Sequence, residues 1–316
     1  MTVAQAAAHA RFVVLVVGAG KVGTALHAAL ISAGLSASLV SARAVLSKSP
    51  RARAALRAKA SLCVLAVRDA QIPEVAAALT DSVPRSLPLV HTAGALGPEA
   101  LEAVAARGFA TGQMHPLLSF VSGRRPRFEG ATLLVSGHAA AVKAVRRLAR
   151  ALGLVPRFLP GLSRPLYHAA ASLLANGTAA LAEASIRLFE SEGITRRQAV
   201  AMAGPLLANV VENLLELGLP EALSGPIRRG DVRTFDAHWA AISKKAPPIR
   251  ALFIASVAMQ IDMARVIGEA PPSALRTLRA RVTTLGASER RRQSPSTPQI
   301  KKAQTISKPR KTRPKP

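Results

Sequence analysis

Apolar residues fall in two rhythms along this chain. In the first half, short runs rich in Val and Leu, at residues 12–17, 37–40, 62–67, 87–91 and 131–135, alternate with helix-length segments at 21–33, 51–60, 72–79, 98–106 and 139–152. Residues 154–159 offer one more strand. Strands that are apolar on both faces and separated by helices predict a parallel sheet covered on both sides. From Pro165 onward the strand signal fades, and helical patterns run through 165–191, 196–217, 234–243, 248–267 and 273–285, with Gly193, Gly218, Pro220 and Gly268 as stops. After Gly286 the chain holds mainly Pro, Ser, Thr, Lys, Arg and Gln, too little apolar surface to offset the cost of ordering it. The pattern therefore predicts a flexible N-terminus (1–10), an α/β domain (11–162), an all-helical domain (163–286) and a disordered basic tail (287–316).

Composition agrees with two domains: 316 residues, 49% hydrophobic, but only 3% aromatic, so the core is built from Ala, Leu and Val. The single cysteine, Cys63, lies inside an apolar run and reads as a buried strand residue, which fits a reducing cytoplasm. No secretion signal is evident near Met1, and no uncharged apolar stretch of about 18 residues suggests a membrane span. The net charge of +26 is uneven. Ten of the Lys and Arg residues sit in the tail beside a single Glu, and Arg43, Lys48, Arg51, Arg53, Arg57 and Lys59 share a stretch without any acid.

One motif carries a specific expectation. Gly18-Ala19-Gly20-Lys21-Val22-Gly23 follows five apolar residues and opens an amphipathic segment that stops at Gly34. That context is the one in which a GxGxxG loop binds a dinucleotide: Gly18 for the turn, Gly20 for close approach to the pyrophosphate, Gly23 for helix–strand packing, with the helix amides facing the phosphates. About 20 residues on, an NAD site needs an acid for the ribose hydroxyl. Here the stretch contains none, and Ser41 and Arg43 stand where a 2′-phosphate would sit, which predicts NADP. The remaining arginines and lysines up to Lys59 read as a solvated helix face. The first domain is thus expected to be a doubly wound Rossmann-type sheet.

The chain resembles the Rossmann-like proteins whose C-terminal half is the domain of unknown function 2520. The resemblance rests on the glycine loop, Val67-Arg68-Asp69, His91-Thr92-Ala93-Gly94-Ala95, His115-Pro116-Leu117-Leu118-Ser119-Phe120, Tyr167-His168-Ala169-Ala170-Ala171 through Asn176, and Gly225-Pro226-Ile227-Arg228-Arg229-Gly230-Asp231. It implies an NADP-linked oxidoreductase similar in architecture to pyrroline-carboxylate reductases and hydroxyacid dehydrogenases.

Candidate chemistry collects past the carboxyl ends of the strands, where doubly wound folds bind ligands. Arg68, Thr92 and Gly94 are expected beside the cofactor, although Asp69 reads equally as a helix cap and His91-Thr92 as a plain turn. Pro116 restrains His115, whose setting resembles the His-Pro pattern of prephenate dehydrogenases, in which the histidine meets the substrate hydroxyl; a structural histidine is the equal alternative. Ser119 lies in the same segment. His168, Ser172 and Asn176, spaced i, i+4, i+8, share one helix face with Tyr167 beside them, either as catalytic and substrate-binding groups or as an interhelical polar stripe. The related hydroxyacid dehydrogenases carry a catalytic Lys on that helix, and none is present here. Arg228 is expected to hold a substrate anion, with Asp231 orienting it or capping the next helix. His238 and Trp239 read as structural.

The leading expectation is an NADP-dependent oxidoreductase moving a hydride to or from a C–O or C–N carbon of a small anionic substrate, with His115 or His168 handling the proton, no metal, and a homodimer. A non-catalytic NADP sensor and a nucleic-acid-associated protein acting through the tail are the alternatives. The tail lacks aromatics for base stacking, so it would bind polyanions weakly and without sequence preference.

Overall fold

The computed structural model describes residues 12–57 and 59–293. By contacts the chain divides between Thr178 and Ala179. The first helix after the sheet therefore groups with the α/β unit and not, as the sequence pattern had it, with the helical one.

The first unit is a seven-stranded sheet. Its strands are β1 (Val13–Val17), β2 (Ser36–Val40), β3 (Leu62–Leu65), β4 (Leu89–His91), β5 (Thr111–Pro116), β6 (Thr132–Gly137) and β7 (Val155–Arg157), in spatial order β2-β1-β3-β4-β5-β6-β7. β1 to β5 are parallel; β6 runs antiparallel to β5 and β7 parallel to β6. The expected parallel sheet is present from β1 to β5, and β6 turns antiparallel because the β5–β6 connection folds back without a crossover helix. The intervening helices are α1 (Lys21–Ser32), α2 (Ala42–Leu46), α3 (Pro50–Arg57), α4 (Ile72–Thr80), α5 (Glu102–Ala105) and α6 (Ala139–Ala151).

Alternation on the strands builds two cores. Val14, Val16, Val64, Val90 and Met114 face α1 and α6, burying Leu26, Leu30, Val145 and Leu148. Leu15, Val17, Cys63, Leu65 and Leu89 face α4, burying Ile72, Val75 and Leu79. Each such fully buried aliphatic side chain contributes about 1.5–3 kcal/mol. Burial pushes the Cys63 thiol up to about 12, so it stays protonated and inert.

α7 (Arg164–Ser172) runs into a π-helical turn at Leu173–Gly177 and then α8 (Thr178–Glu190). The helical unit continues with α9 (Arg196–Leu217), α10 (Val232–Lys245), α11 (Arg250–Ile267) and α12 (Pro272–Gln293). Thr195 and Gln198 form a capping box on α9, and Gly268 ends α11 in the left-handed region. Ile227, Phe235, Ile254, Val257, Ile261, Leu275, Leu278 and Val282 form the core of α10 to α12.

One expectation changes here. The last helix does not stop near Leu285: it runs past Gly286 to Gln293, because Glu289 is buried and ion-paired to Arg250, which ties that turn to α11. And α9 is long and apolar enough to cross a membrane by length and composition. Its turns are interrupted by Glu212 and Glu216, which is why no uncharged run stood out. Apart from Ala199, no residue of α9 is buried. The expected flexible N-terminus (1–10) and the part of the basic tail beyond residue 293 lie outside the described residues.

Candidate functional site

The glycine loop joins β1 to α1 and touches the end of β2, where the Gly18 amide donates to the Val40 carbonyl. Gly18 has φ +119°, and a Cβ there would lie 2.2 Å from the Ala66 carbonyl oxygen. A Cβ on Gly23 would lie 1.8 Å from the Gly18 oxygen. Protein packing thus requires both. Gly20 differs: its backbone is extended and a Cβ would meet nothing within 4 Å. The fold does not need glycine at that position, and the open space lies over the start of α1, the space a phosphate of a bound dinucleotide would take. Gly20 caps α1 with no side-chain hydrogen bond, which leaves the first amides facing outward.

Beside the loop lies a cavity of about 520 Å³. Ala19, Gly20, Lys21 and Thr24 form one wall and Ser122, Gly123, Arg124 and Arg125 the other, while Val22 packs on the core. Arg124 and Arg125 were not singled out in the sequence; they follow β5 by sequence but return to the loop only in the fold. Ser41 caps α2, its hydroxyl accepting from the Ala44 amide, so its oxygen is partly committed. Arg43, two residues on, is exposed, as is Arg68. Together these groups fit a phosphorylated dinucleotide: an uncapped helix start, a glycine without a packing reason, and cations with no carboxylate at the end of β2.

A second group forms on one face of the sheet at β4, β5 and β6. Because side chains alternate and β5 pairs with both neighbours, His91, Gln113 and Ser136 fall on the same face, all buried, with His115 two residues beyond Gln113. His91 accepts the Ala93 amide at Nδ1 (3.2 Å) and donates from Nε2 to the Gly97 carbonyl (2.8 Å), which makes it a structural, neutral histidine; burial holds its pKa below the ordinary value. Thr92 is tied to the Leu65 carbonyl.

α7 packs its start against this face. The His115 Nδ1 and the Tyr167 hydroxyl share a hydrogen bond of 2.9 Å, and the His168 ring stands 6.1 Å from that of His115, edge to face. A Cβ on Gly94 would come within 2.7 Å of the His115 Nε2 and 2.5 Å of His168, so glycine at this position is what lets both rings approach the β4 loop. His115, Ser119, Tyr167, His168, Ser172 and Asn176 line one cavity of about 470 Å³. Asn176 lies in the π turn and donates to the Ser172 hydroxyl at 2.9 Å; such turns recur at functional positions. Burial first, then the His168, Arg164 and His91 charges, lower His115 to about 4, so it is neutral at physiological pH. Burial raises Tyr167.

Arg228 does not stand free to bind a substrate anion. Its Nε and one terminal nitrogen grip the Glu269 carboxylate at 2.8 and 2.5 Å, and its other nitrogen donates to the carbonyls of Glu221 and Leu223, both at 2.7 Å. Asp231 caps α10, accepting from the Thr234 amide and hydroxyl. Both hold the helical unit's loop together. The sequence showed the arginine and not its partner, because Glu269 lies far along the chain.

Comparison with known proteins follows this division. Residues 2–116 match a Rossmann-like domain, and residues 131–258 match the domain of unknown function DUF2520. No curated protein matches the chain. Among solved structures, similarity extends to a candidate NADP oxidoreductase from Bacteroides fragilis (19% identity, 82% of this chain and 98% of that one, TM-score 0.61). It extends also to an imine reductase from Myxococcus stipitatus in complex with NADP+ (17%, 80% and 94%, 0.54). A third is pyrroline carboxylate reductase from Plasmodium falciparum with NADP bound (12%, 87% and 98%, 0.53). At these identities the likeness shows a shared fold. The chain thus carries a Rossmann-like domain followed along its length by a DUF2520 domain.

Proposed function

We propose that the protein is an NADP-dependent oxidoreductase. The observation that carries this reading is the coincidence, at one edge of the sheet, of a glycine loop with Gly20 open to a ligand and the His115–Tyr167–His168 cluster pressed on Gly94. β1, β3, β4 and β5 are parallel and end at that edge, so both groups lie where such folds bind ligands. The bound NADP of two proteins of similar fold supports the same cofactor class. Gly18–Gly23 would hold the pyrophosphate and Ser41 and Arg43 the 2′-phosphate, with Arg68, Thr92 and Gly94 along the way to the reacting end. When bound, NADP supplies or accepts the hydride.

The chain's own groups would manage the proton and the substrate. His115 is unprotonated at physiological pH, with Tyr167 fixing its ring through Nδ1; its lowered pKa makes it a weak base on its own, and an anionic substrate bound beside it would raise that pKa toward the range in which it takes a proton from a hydroxyl or amine being oxidised. His168 stands across the same cavity, and Asn176, Ser172 and Ser119 supply donors and acceptors for substrate. Titration of the protein with NADPH and NADH, followed by nucleotide fluorescence, tests the cofactor. NADPH should bind at least tenfold more tightly, and Arg43→Glu should erase that preference while leaving NADH binding intact. Equal affinity in the wild type would refute the reading.

We also propose a homodimer formed through α9. Val200, Met202, Leu206, Val210 and Leu215 are exposed, each about half or more. Asn209, Glu212, Asn213 and Glu216 run along the same helix. Charged side chains at membrane depth cost on the order of 2.5–3.5 kcal/mol each, whereas a second copy offers the same apolar stripe with the polar residues left at the rim.

A further inference from the structure

With Arg228 committed to Glu269, the reading of an anionic substrate lacks its cation, and the described residues contain another. Arg164 is the first residue of α7, one turn before Tyr167 and His168. One terminal nitrogen of its guanidinium donates to the Ser136 hydroxyl at 2.9 Å. Ser136 donates in turn to the Gln113 side-chain oxygen at 3.2 Å, and the Gln113 nitrogen donates to the Ala93 carbonyl at 2.7 Å. This relay runs across the buried face of β5 and β6 to the residue before Gly94. The other terminal nitrogen of Arg164 is buried and has no hydrogen-bond partner.

Arg164 is half-buried, with one terminal nitrogen out of contact with solvent, and no Asp or Glu among the described residues forms an ion pair with it. Every acid that makes an ion pair in this unit, Asp81 and Glu129, is taken by another arginine. The charge of Arg164 acts instead on His115, Tyr167 and His91. Arg164 thus stands at the start of the helix that carries Tyr167 and His168, with one terminal nitrogen on Ser136, the other without a protein partner, and no ion pair to an acid among the described residues.

We propose that Arg164 is the anion receptor of the site and that the substrate carries a carboxylate next to the carbon that exchanges hydride, the carboxylate docking on the guanidinium while the reacting carbon faces His115. This assignment rests on the oxidoreductase reading and gives it a substrate class. Ser136 and Gln113 are positioning residues: they aim the fork and do not touch substrate. A planar fork suits a carboxylate better than an ammonium does.

The test uses the full-length protein with propionate and propionamide, a matched pair differing in the charged group, titrated by ligand-observed NMR with and without saturating NADP+. The wild type should bind propionate at least tenfold more tightly than the amide. Arg164→Met should abolish the difference while leaving NADPH affinity and the far-ultraviolet circular dichroism unchanged. Arg164→Lys, which keeps the charge and the fold but not the fork, should retain a weakened preference, and it reads the same question if the Met variant fails to fold. Equal binding of the two probes, or binding of neither, by the wild type overturns the proposal, as does an undiminished preference in both variants. Loss of NADPH affinity in Arg164→Met would also overturn it, by placing the arginine on a cofactor phosphate. The cofactor reading fails separately, by absent NADPH binding in the wild type, and the titration without nucleotide still reports on Arg164.

Discussion

At the scale of single residues, the glycine loop separates packing from binding. Gly23→Ala places a methyl group against the Gly18 carbonyl and should destabilise the protein by about 1–3 kcal/mol, read as a lower midpoint in denaturant. Gly20→Ala meets no protein atom, so its stability should match the wild type while NADPH affinity falls at least tenfold. A variant that bound NADPH normally would show that the open space is not a phosphate site. His115 gives a pH signature. Its folded pKa of about 4 lies below its ordinary value, so the unfolded state binds more protons between roughly pH 6.5 and 4. Its contribution is complete above that window and is lost as pH falls through it, at most about 3 kcal/mol. His91 is lowered in the same direction. Thermal unfolding of His115→Gln across this window should show a shallower fall in melting temperature than the wild type; identical slopes would mean that the imidazole is not held neutral.

At the scale of elements, β5 shows why a strand can hide. Thr111, Gln113 and His115 occupy its alternate positions, so its sequence lacks the apolar run by which the other strands of the parallel core were recognised. The polar face exists because β4, β5 and β6 are paired side by side and α7 covers them. The loop from Gly225 to Asp231 teaches the converse. Its arginine looked like a binding group, whereas its geometry is that of a brace across to Glu269 and to two carbonyls. Arg228→Ala should therefore lower the melting temperature and leave NADPH affinity and carboxylate preference unchanged. A variant of normal stability with weakened substrate binding would return Arg228 to the site.

For the whole molecule, the largest unmet demand is α9, a 22-residue helix with one buried residue. A helix apolar over much of its surface gains little from its own hydrogen bonds in water and needs packing to persist. Sedimentation analysis should find a dimer, and the paired change Leu206→Glu with Val210→Glu should yield monomers with impaired stability. A monomeric wild type would remove the dimer. Partition of the wild type into lipid vesicles would assign the helix to a membrane instead.

Runs of Val and Leu, the glycine spacing and the shift to helical periodicity after Pro165 were enough to specify a Rossmann-type domain with a helical partner, because period and turn chemistry are local properties. The lone buried cysteine and the acid-free stretch after β2 were legible for the same reason. The cluster of His115, Tyr167, His168, Ser172 and Asn176 was named residue by residue, though its hydrogen bond and shared cavity come from the packing of α7 on the sheet. Arg164, Ser136 and Gln113 gave no signal, since an ordinary arginine, serine and glutamine acquire meaning only when strand register and a helix start bring them into one relay. Pairing likewise turned Arg228 from a binding group into a brace: that Glu269 stands beside it is a fact of three-dimensional proximity, and no spacing along the chain encodes it.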